Sequence, residues 1–269
     1  MFKDLHDQQD ILSKRKKHSR IFYFYGFLGF LFCFVLAGVG LFYFIVNSNF
    51  FKVKEINISD VRLISKDQIL TAVISKKVST GWRAWLGPDN ILFWLGREPV
   101  GLDESLAILA DLSLAVNLRQ KKVSITVEER DFVGVWCGSG GRCFAFDETG
   151  IVFSLAPKTS GNLILTIQDE NEREMNLGQR VLPDPLWFKN MTIILSALKE
   201  AQFLPADVLI KNYELKEWEV KSHLGPSFYF SFAFVPGDLP VVLKNLAGRI
   251  NFSKISYLDF RVSNRIFYK

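Results

Sequence analysis

The most prominent feature of the hydrophobic pattern is one uninterrupted apolar stretch, 21–46, which contains no charged residue. As a helix, this stretch would rise ~39 Å, which exceeds the ~30 Å thickness of a hydrocarbon core. The apolar part of a cleaved signal peptide is shorter, about 7–15 residues, and a small-residue cleavage site follows it. Residues 47–51 offer no such site, so the pattern predicts an uncleaved transmembrane helix over 21–46.

The two flanks of this stretch differ in charge. Residues 14–20 include five Lys or Arg, whereas no basic residue precedes Lys52 on the other side. Because basic flanks favour the cytoplasmic side, we expect a single-pass protein with a cytoplasmic basic tail over 1–20 and extracytoplasmic C-terminal domains. The net charge is +5, of which residues 1–20 supply +3. The small remainder gives no basis for a nucleic-acid surface.

The region 50–130 shows strand-like and helix-like patterns, which predict a small α+β domain. Apolar residues at alternate positions predict strands over 51–58, 112–118 and 123–127, the last two joined as a hairpin by polar residues. Ser65 and Gln68 form a capping-box pattern at the start of a helix. A second, short helix is predicted over 102–111. The predicted order is β-α-α-β-β.

Three of the six tryptophans lie between residues 81 and 96: Trp82, Trp85 and Trp94. Such side chains either pack the interior of a small domain or form a surface close to the membrane interface or to a partner. Both interpretations stay open at the level of the sequence.

Residues 131–269 are predicted to form a mostly antiparallel β domain with a few helices. A tight turn is predicted at 147–150, between two strands. Helices are predicted over 185–201 and 240–250. The predicted strands are 133–138, 142–147, 151–155, 163–167, 215–221, 227–234 and a final pair inside 255–269.

Two cysteines, Cys137 and Cys143, flank a Gly-rich loop between two apolar runs, as at the tip of a hairpin. Outside the cytoplasm, conditions permit disulfides, so a disulfide that closes this loop is our preferred interpretation. Two free thiols are the second alternative. A metal site is the third, and two cysteines without a nearby histidine supply only half of a tetrahedral ligand set.

The residues that could carry catalysis do not form the pattern of an active site. The part beyond the span has one histidine, His223, and no nucleophile, metal-ligand or phosphate-loop motif. The acidic pairs Glu128/Glu129 and Asp147/Glu148 are adjacent residues, which point to opposite faces of a strand or lie in a turn. We therefore expect no enzyme, no cofactor, no metal site and no small-molecule substrate.

The C-terminal segment is the clearest candidate for a binding surface. Leu258, Phe260 and Val262 alternate with polar residues, and Ile266 and Tyr268 alternate after a polar break. A terminal strand is often an edge strand, and an open apolar edge accepts a strand from a partner. The alternative is that this segment only completes the sheet.

Several motifs occur together in a fixed order. The most specific is Ile125–Trp136, ITVEERDFVGVW, which resembles the pattern I-x-V-x-E-R-x-P-V-A-x-W, with Phe132 in place of Pro and Gly134 in place of Ala. Three shorter ones are DETGIVF at 147–153, GPDNILF at 87–93 and YLDFRV at 257–262. By these motifs and the preceding span, the chain resembles the FtsQ/DivIB family of bacterial cell-division proteins along nearly its whole length.

This resemblance implies a POTRA domain over 50–130 and an FtsQ-type β domain over 131–269. It implies a non-catalytic scaffold of the divisome, in the bacterial inner (cytoplasmic) membrane at the division septum, linking early and late proteins during septal peptidoglycan synthesis. The implied partners are an FtsB/DivIC- and FtsL-type coiled coil at the C-terminal edge and an FtsK-type recruiter at the POTRA domain. The implied partner-binding residues are Arg261, Val262, Ser263, Asn264, Arg265, Ile266 and Phe267.

Within this resemblance, residues 262–267 correspond to the strand that adds a partner strand, and Arg261 to an arginine that faces the partner. An arginine fork can hold a partner carboxylate through two hydrogen bonds. Two other classes remain alternatives: a membrane-anchored cell-envelope enzyme and a POTRA-type chaperone of protein export.

Overall fold

The computed structural model describes residues 3–59, 61–79, 82–96, 104–158, 164–222 and 225–269, with side chains from residue 24 onward except those of Trp82 and Arg83. His223 and the start of the helix predicted at 102 lie outside these residues. The chain forms two compact units. The first unit comprises 1–57, 77–97 and 115–124, and the second comprises 58–76, 98–114 and 125–269. The domain boundaries of the sequence analysis stay a prediction.

The N-terminal helix α1 runs over Lys3–Asn47. Among the described residues, Phe24–Asn47 is the one segment that is long and apolar enough to cross a membrane, and its side chains are not buried inside the protein. The prediction of a helix of this length and composition over 21–46 is confirmed. The helix also continues back to Lys3 through the stretch predicted as a polar tail.

A three-stranded sheet with the order β1-β3-β2 follows α1. Its strands are β1 Glu55–Ile58, β2 Leu109–Asn117 and β3 Lys122–Glu129, and helix α2 runs over Lys66–Val78. The predicted capping box of α2 is confirmed: the Gln68 backbone N–H donates to the Ser65 hydroxyl at 3.2 Å, and the Ser65 backbone N–H donates to the side-chain oxygen Oε1 of Gln68 at 3.1 Å. In the described part of the connection from α2 to β2, 3-10 helices are formed by Trp82–Leu86, Ile91–Trp94 and Glu104–Leu106.

The prediction of a helix over 102–111 is wrong for 104–111, which is the part of it that the structure describes. Only Glu104–Leu106 forms a single 3-10 turn, and β2 already begins at Leu109. Leu109 is fully buried, and the carbonyl of Ile108 accepts the Arg130 N–H at 2.9 Å. The short apolar run 106–109 fits either state locally, and tertiary strand pairing decides it.

The two described tryptophan side chains of the 81–96 region have opposite environments. Trp94 is fully buried, and its indole N–H donates to the Pro88 carbonyl at 2.7 Å. Trp85 is 78% exposed. The core interpretation therefore holds for Trp94 and not for Trp85.

The second unit contains a nine-stranded sheet with the order β12-β11-β10-β9-β8-β7-β4-β5-β6. Three pairings, β10–β11, β7–β8 and β4–β7, are parallel and the other five are antiparallel. The strands are β4 Gly134–Cys137, β5 Cys143–Phe146, β6 Val152–Ala156, β7 Leu165–Asp169, β8 Pro205–Asn212, β9 Glu217–Ser222, β10 Ser227–Ser231, β11 Tyr257–Asp259 and β12 Phe267–Tyr268.

Two helices provide crossovers between parallel neighbours of this sheet. Helix α3, Pro185–Glu200, connects β7 to β8, and helix α4, Leu239–Ala247, connects β10 to β11. Both helices contribute to one apolar cluster with the sheet. The buried apolar residues of α3 recur at helical spacing, which explains why this helix covers the sheet: Phe188, Met191, Ile194, Leu195 and Leu198.

Strand β8 was missed by the sequence analysis although it lies in the interior of the sheet. Val208 and Ile210 are fully buried, and their spacing is that of a strand. Leu209 between them is also apolar, and Pro205 opens the segment, so the alternation is not visible in the sequence.

A buried ion pair connects the end of β3 to the turn after β5. The Arg130 guanidinium donates to Asp147 at 2.5 Å and to the Ala107 carbonyl at 3.0 Å. Asp147 also accepts the N–H groups of Thr149 and Ile151, each at 2.9 Å. The two charged side chains are only 10% and 5% exposed. The predicted turn at 147–150 is confirmed, with the Gly150 N–H donating to the Asp147 carbonyl at 3.0 Å.

Glu129, next to Arg130, also has an internal role. Its carboxylate accepts the N–H groups of Arg62, Leu63 and Ile64 at 2.8–3.3 Å. Burial alone would raise the pKa of Glu129, but these three backbone hydrogen bonds outweigh it and lower the pKa. The carboxylate therefore holds the loop that precedes α2.

We predict that Arg130→Met lowers the free energy of unfolding of the full chain in detergent by about 3–5 kcal/mol, because it leaves the buried Asp147 carboxylate unpaired. The measurement is urea denaturation. The matched control is Lys122→Met, which removes the exposed 2.6 Å pair with Glu55 and should lower the free energy of unfolding far less, because an exposed ion pair contributes little to stability. Equal losses for the two variants would contradict this account.

The packing around residue 134 explains why a glycine occupies this position. A Cβ at this position would lie 2.6 Å from the Leu165 carbonyl oxygen and 2.8 Å from the Phe146 ring. We predict that Gly134→Ala lowers the free energy of unfolding by about 1–3 kcal/mol through this overpacking. Gly140→Ala is the control, because a Cβ there meets nothing within 4 Å. A Gly134→Ala protein as stable as the Gly140→Ala protein would refute the prediction.

Candidate partner-binding edge

The C-terminal segment forms one edge of the nine-stranded sheet. Strand β12 pairs antiparallel with β11, with Phe267 opposite Asp259 and Tyr268 opposite Leu258. Within the described chain, no further strand pairs with β12. The outer side of β12 is therefore a free strand edge.

The hydrogen bonds of β11 indicate which backbone groups of β12 face outward. The Phe260 N–H donates to the Tyr229 carbonyl, and the Ser227 N–H donates to the Ser256 carbonyl. These bonds place the Ser256 carbonyl and the Phe260 N–H on the side of β10, and by alternation the backbone groups of Leu258 face the same way. The backbone groups of Asp259 therefore face β12, and on that side the Ser256 N–H donates to the Lys269 carbonyl at 2.6 Å. Phe267, opposite Asp259, uses its groups for that pairing, and the N–H and carbonyl of Tyr268 point outward.

Apolar side chains surround this free edge. Val262, Phe267 and Tyr268 are 48%, 49% and 54% exposed. Val262 and the four residues 263–266 that precede β12 also line a cleft of about 380 Å³. Its apolar lining includes Phe234, Val242, Phe260, Val262 and Ile266.

The structure corrects one expectation about this segment. Residues 262–267 were expected to form one strand, but Val262, Ser263 and Asn264 form a turn, and Ile266 also precedes the strand. The Arg265 N–H donates to the Val262 carbonyl at 3.2 Å, and Asn264 has a φ of +60°. The polar residues Ser263 and Asn264 suit a turn better than a strand.

Only Phe267 of the predicted binding residues lies in strand β12, and Tyr268, which was not among them, is the residue whose backbone faces outward. The alternation of Ile266 and Tyr268 in the sequence was the available indication. Ile266 lies beside the cleft and is half-buried.

Arg261 is engaged by residues of its own chain. Its guanidinium donates to both oxygens of Asp259, at 2.9 and 2.6 Å, and to Glu217 at 2.6 Å. The guanidinium carbon also lies 5.3 Å from the centre of the Tyr229 ring. Three of its five N–H donors are thus used within the chain. These contacts fix the end of β11, and they raise the pKa of Arg261.

The two cysteines of the second unit lie at the other half of the sheet. Cys137 and Cys143 are opposite each other in β4 and β5 and are joined by a disulfide, the first of the three alternatives considered above. Both are buried. The Gly-rich loop is closed by a hydrogen bond from the Gly138 N–H to the Arg142 carbonyl at 3.0 Å.

The carboxylates considered for catalysis have structural partners. Asp147 is held by Arg130 and by its own turn, and Glu129 accepts the backbone N–H groups before α2. In the part of the chain that the structure describes, no group of three or more His, Cys, Asp or Glu could hold a metal ion.

Comparison with protein-family models finds no family that matches this chain. Comparison with curated proteins finds no match either. The assignment of function therefore depends on the residues and the geometry of the chain itself.

The Arg261–Asp259 pair predicts a dependence of stability on pH. The hydrogen bonds from Arg261 lower the pKa of Asp259 more than its burial raises it. A lowered pKa in the folded state means that this contribution is complete above the unfolded-state pKa of about 3.9 and is lost as the pH falls through the lowered value.

Asp259→Asn should therefore reduce the urea midpoint at neutral pH. The difference in urea midpoint between this variant and the unchanged chain should shrink in acid below about pH 4. Asp207→Asn, at an exposed position of β8, is the control and should show a small difference at every pH. A difference for Asp259→Asn that stays constant into acid would contradict the role of the ion pair.

Proposed function

We propose that this chain is a non-catalytic, membrane-anchored scaffold of bacterial cell division of the FtsQ/DivIB type. The observation that carries the proposal is the free edge of β12, with outward backbone groups at Tyr268 and exposed apolar side chains beside it. An open edge of this kind supports strand addition, in which main-chain hydrogen bonds supply affinity and side-chain pockets supply specificity.

The partner is an extended segment of an FtsB/DivIC-type protein that is paired with an FtsL-type protein. It adds as a strand to β12, and its apolar side chains enter the cleft lined by Phe260, Val262 and Ile266. Arg261 acts as a positioning residue for the end of β11, since Asp259 and Glu217 already hold its guanidinium. Two N–H donors of Arg261 remain for a partner acceptor.

The proposal includes the topology and the location. Helix α1 anchors the protein in the bacterial inner membrane with its basic N-terminus in the cytoplasm, because five basic residues lie at 14–20 directly before the span, whereas none precedes Lys52 after it. The domain over 50–130 is of the POTRA type and receives an FtsK-type recruiter. The protein then acts at the division septum, where it links early and late division proteins.

The experiment is co-purification of the full chain with a coexpressed pair of FtsB- and FtsL-type proteins from the same bacterium. Tyr268→Pro removes the outward N–H and leaves the pairing of Phe267 with β11 intact. We expect it to abolish co-purification. Tyr268→Ala keeps that N–H and loses only the side chain, so it should retain most of the binding.

The urea midpoint of each variant gives the stability control. Loss of binding in Tyr268→Pro at an unchanged midpoint supports strand addition. Full binding by Tyr268→Pro would exclude β12 as the partner edge, and loss in both variants at a lowered midpoint would mean that β12 serves the fold instead.

A further inference from the structure

The end of α1 is hydrogen-bonded to the rest of the first unit. The Asn90 side chain, which is 3% exposed, donates to the Ile45 carbonyl at 2.8 Å. Just beyond the helix, the Ile91 N–H donates to the Phe51 carbonyl at 2.7 Å. These bonds hold Asn90 and Ile91 against the end of α1 and the residues that directly follow it.

The segment 48–51, which we call the exit segment, joins α1 to this contact. Four residues reach at most about 14 Å beyond Asn47 even when fully extended. The headgroup layer on each side of a bilayer is about 5–8 Å thick. If α1 spans the membrane as in the proposed function, the exit segment lies at the depth of the phospholipid headgroups.

An aromatic ring of the exit segment lies beside an ammonium group from the turn between β2 and β3. Phe50 is 67% exposed, and the Lys121 ammonium lies 5.0 Å from the centre of its ring. The same ammonium donates to the Asn49 carbonyl at 3.4 Å. An aromatic ring beside a long basic side chain is the combination favoured at the membrane–water interface.

The charge of Lys121 is not neutralised by a carboxylate of the described chain, whereas its neighbour Lys122 is paired with Glu55 at 2.6 Å. An ammonium group has three donors, and Asn49 uses one of them. Two donors therefore remain for an anionic acceptor at this depth.

We propose that Lys121 binds the phosphate of an anionic phospholipid in the leaflet where α1 ends, with Phe50 packed among the headgroups. The inference depends on the membrane anchoring of the proposed function and not on the partner edge at β12. It assigns to the first unit a lipid-contacting surface that fixes the unit against the bilayer.

The test uses the full chain in nanodiscs of phosphatidylcholine, with and without an equal part of phosphatidylglycerol. Phe50→Trp introduces a fluorescent probe. Its fluorescence is obtained by subtracting the tryptophan fluorescence of the chain without this substitution. Lipids brominated close to the headgroup end of their acyl chains quench a tryptophan that touches them. We expect quenching of the introduced probe, strongest with phosphatidylglycerol.

Lys121→Gln in the same background should remove the increase that phosphatidylglycerol causes, while Lys122→Gln, whose ammonium is already paired, should leave it unchanged. An unquenched probe in chains that remain in the discs would overturn the lipid contact and leave the anchoring intact. An equal effect of Lys121→Gln and Lys122→Gln on the increase in quenching would also overturn the lipid contact and leave the anchoring intact. A chain that separates from the discs would overturn the anchoring, and the lipid contact with it.

Discussion

The ion pair between Arg130 and Asp147 is the interaction on which much of the second unit depends. It joins the end of β3 to the turn between β5 and β6, and both charges are nearly excluded from water. A buried charge pair is strongly unfavourable unless its remaining donors and acceptors are satisfied. Here the Ala107 carbonyl and the N–H groups of Thr149 and Ile151 complete the set.

The two adjacent charged residues Glu129 and Arg130 therefore each have a structural role. Glu129 organises the loop before α2, and Arg130 organises the turn at 147–150. Glu129 and Asp147, two of the acidic residues considered for catalysis, are thus both engaged in structural hydrogen bonds. Burial and hydrogen bonding act against each other on the pKa of Asp147, and the hydrogen bonds from Ile151, Thr149 and Arg130 prevail, so its pKa is lowered.

The free edge at β12 follows from the way the sheet is built. Helix α4 returns the chain so that β11 lies parallel to β10, and the turn at 262–264 then places β12 outside β11. The Asp259–Arg261–Glu217 contacts hold the strand that supports this edge. The stability of β11 and the availability of β12 are therefore linked by a single arginine.

Features specified by neighbouring residues were predictable from the sequence. The capping box of Ser65 and Gln68, the turn at 147–150 and the helix over 185–200 each depend on a local pattern. Strand β8 and the start of β2 depend instead on pairing that a local pattern does not contain. β8 lies between β9 and the more distant β7, and the Arg130 N–H donates to the Ile108 carbonyl where β2 begins.

The same distinction applies to the candidate site. The alternation near the C-terminus indicated the edge segment, but the turn at 262–264 and the orientation of Tyr268 depend on the register with β11. Likewise, Gly134 is explained only by the approach of Phe146 and Leu165 to its Cα, which no motif reveals.

The proposed role of this protein in the division machinery is tested most directly by the position of an N-terminal fluorescent fusion of the full chain in dividing cells at native expression. The account predicts a band at midcell that appears as the septum forms. An even outline around the cell, with a functional fusion, would contradict it.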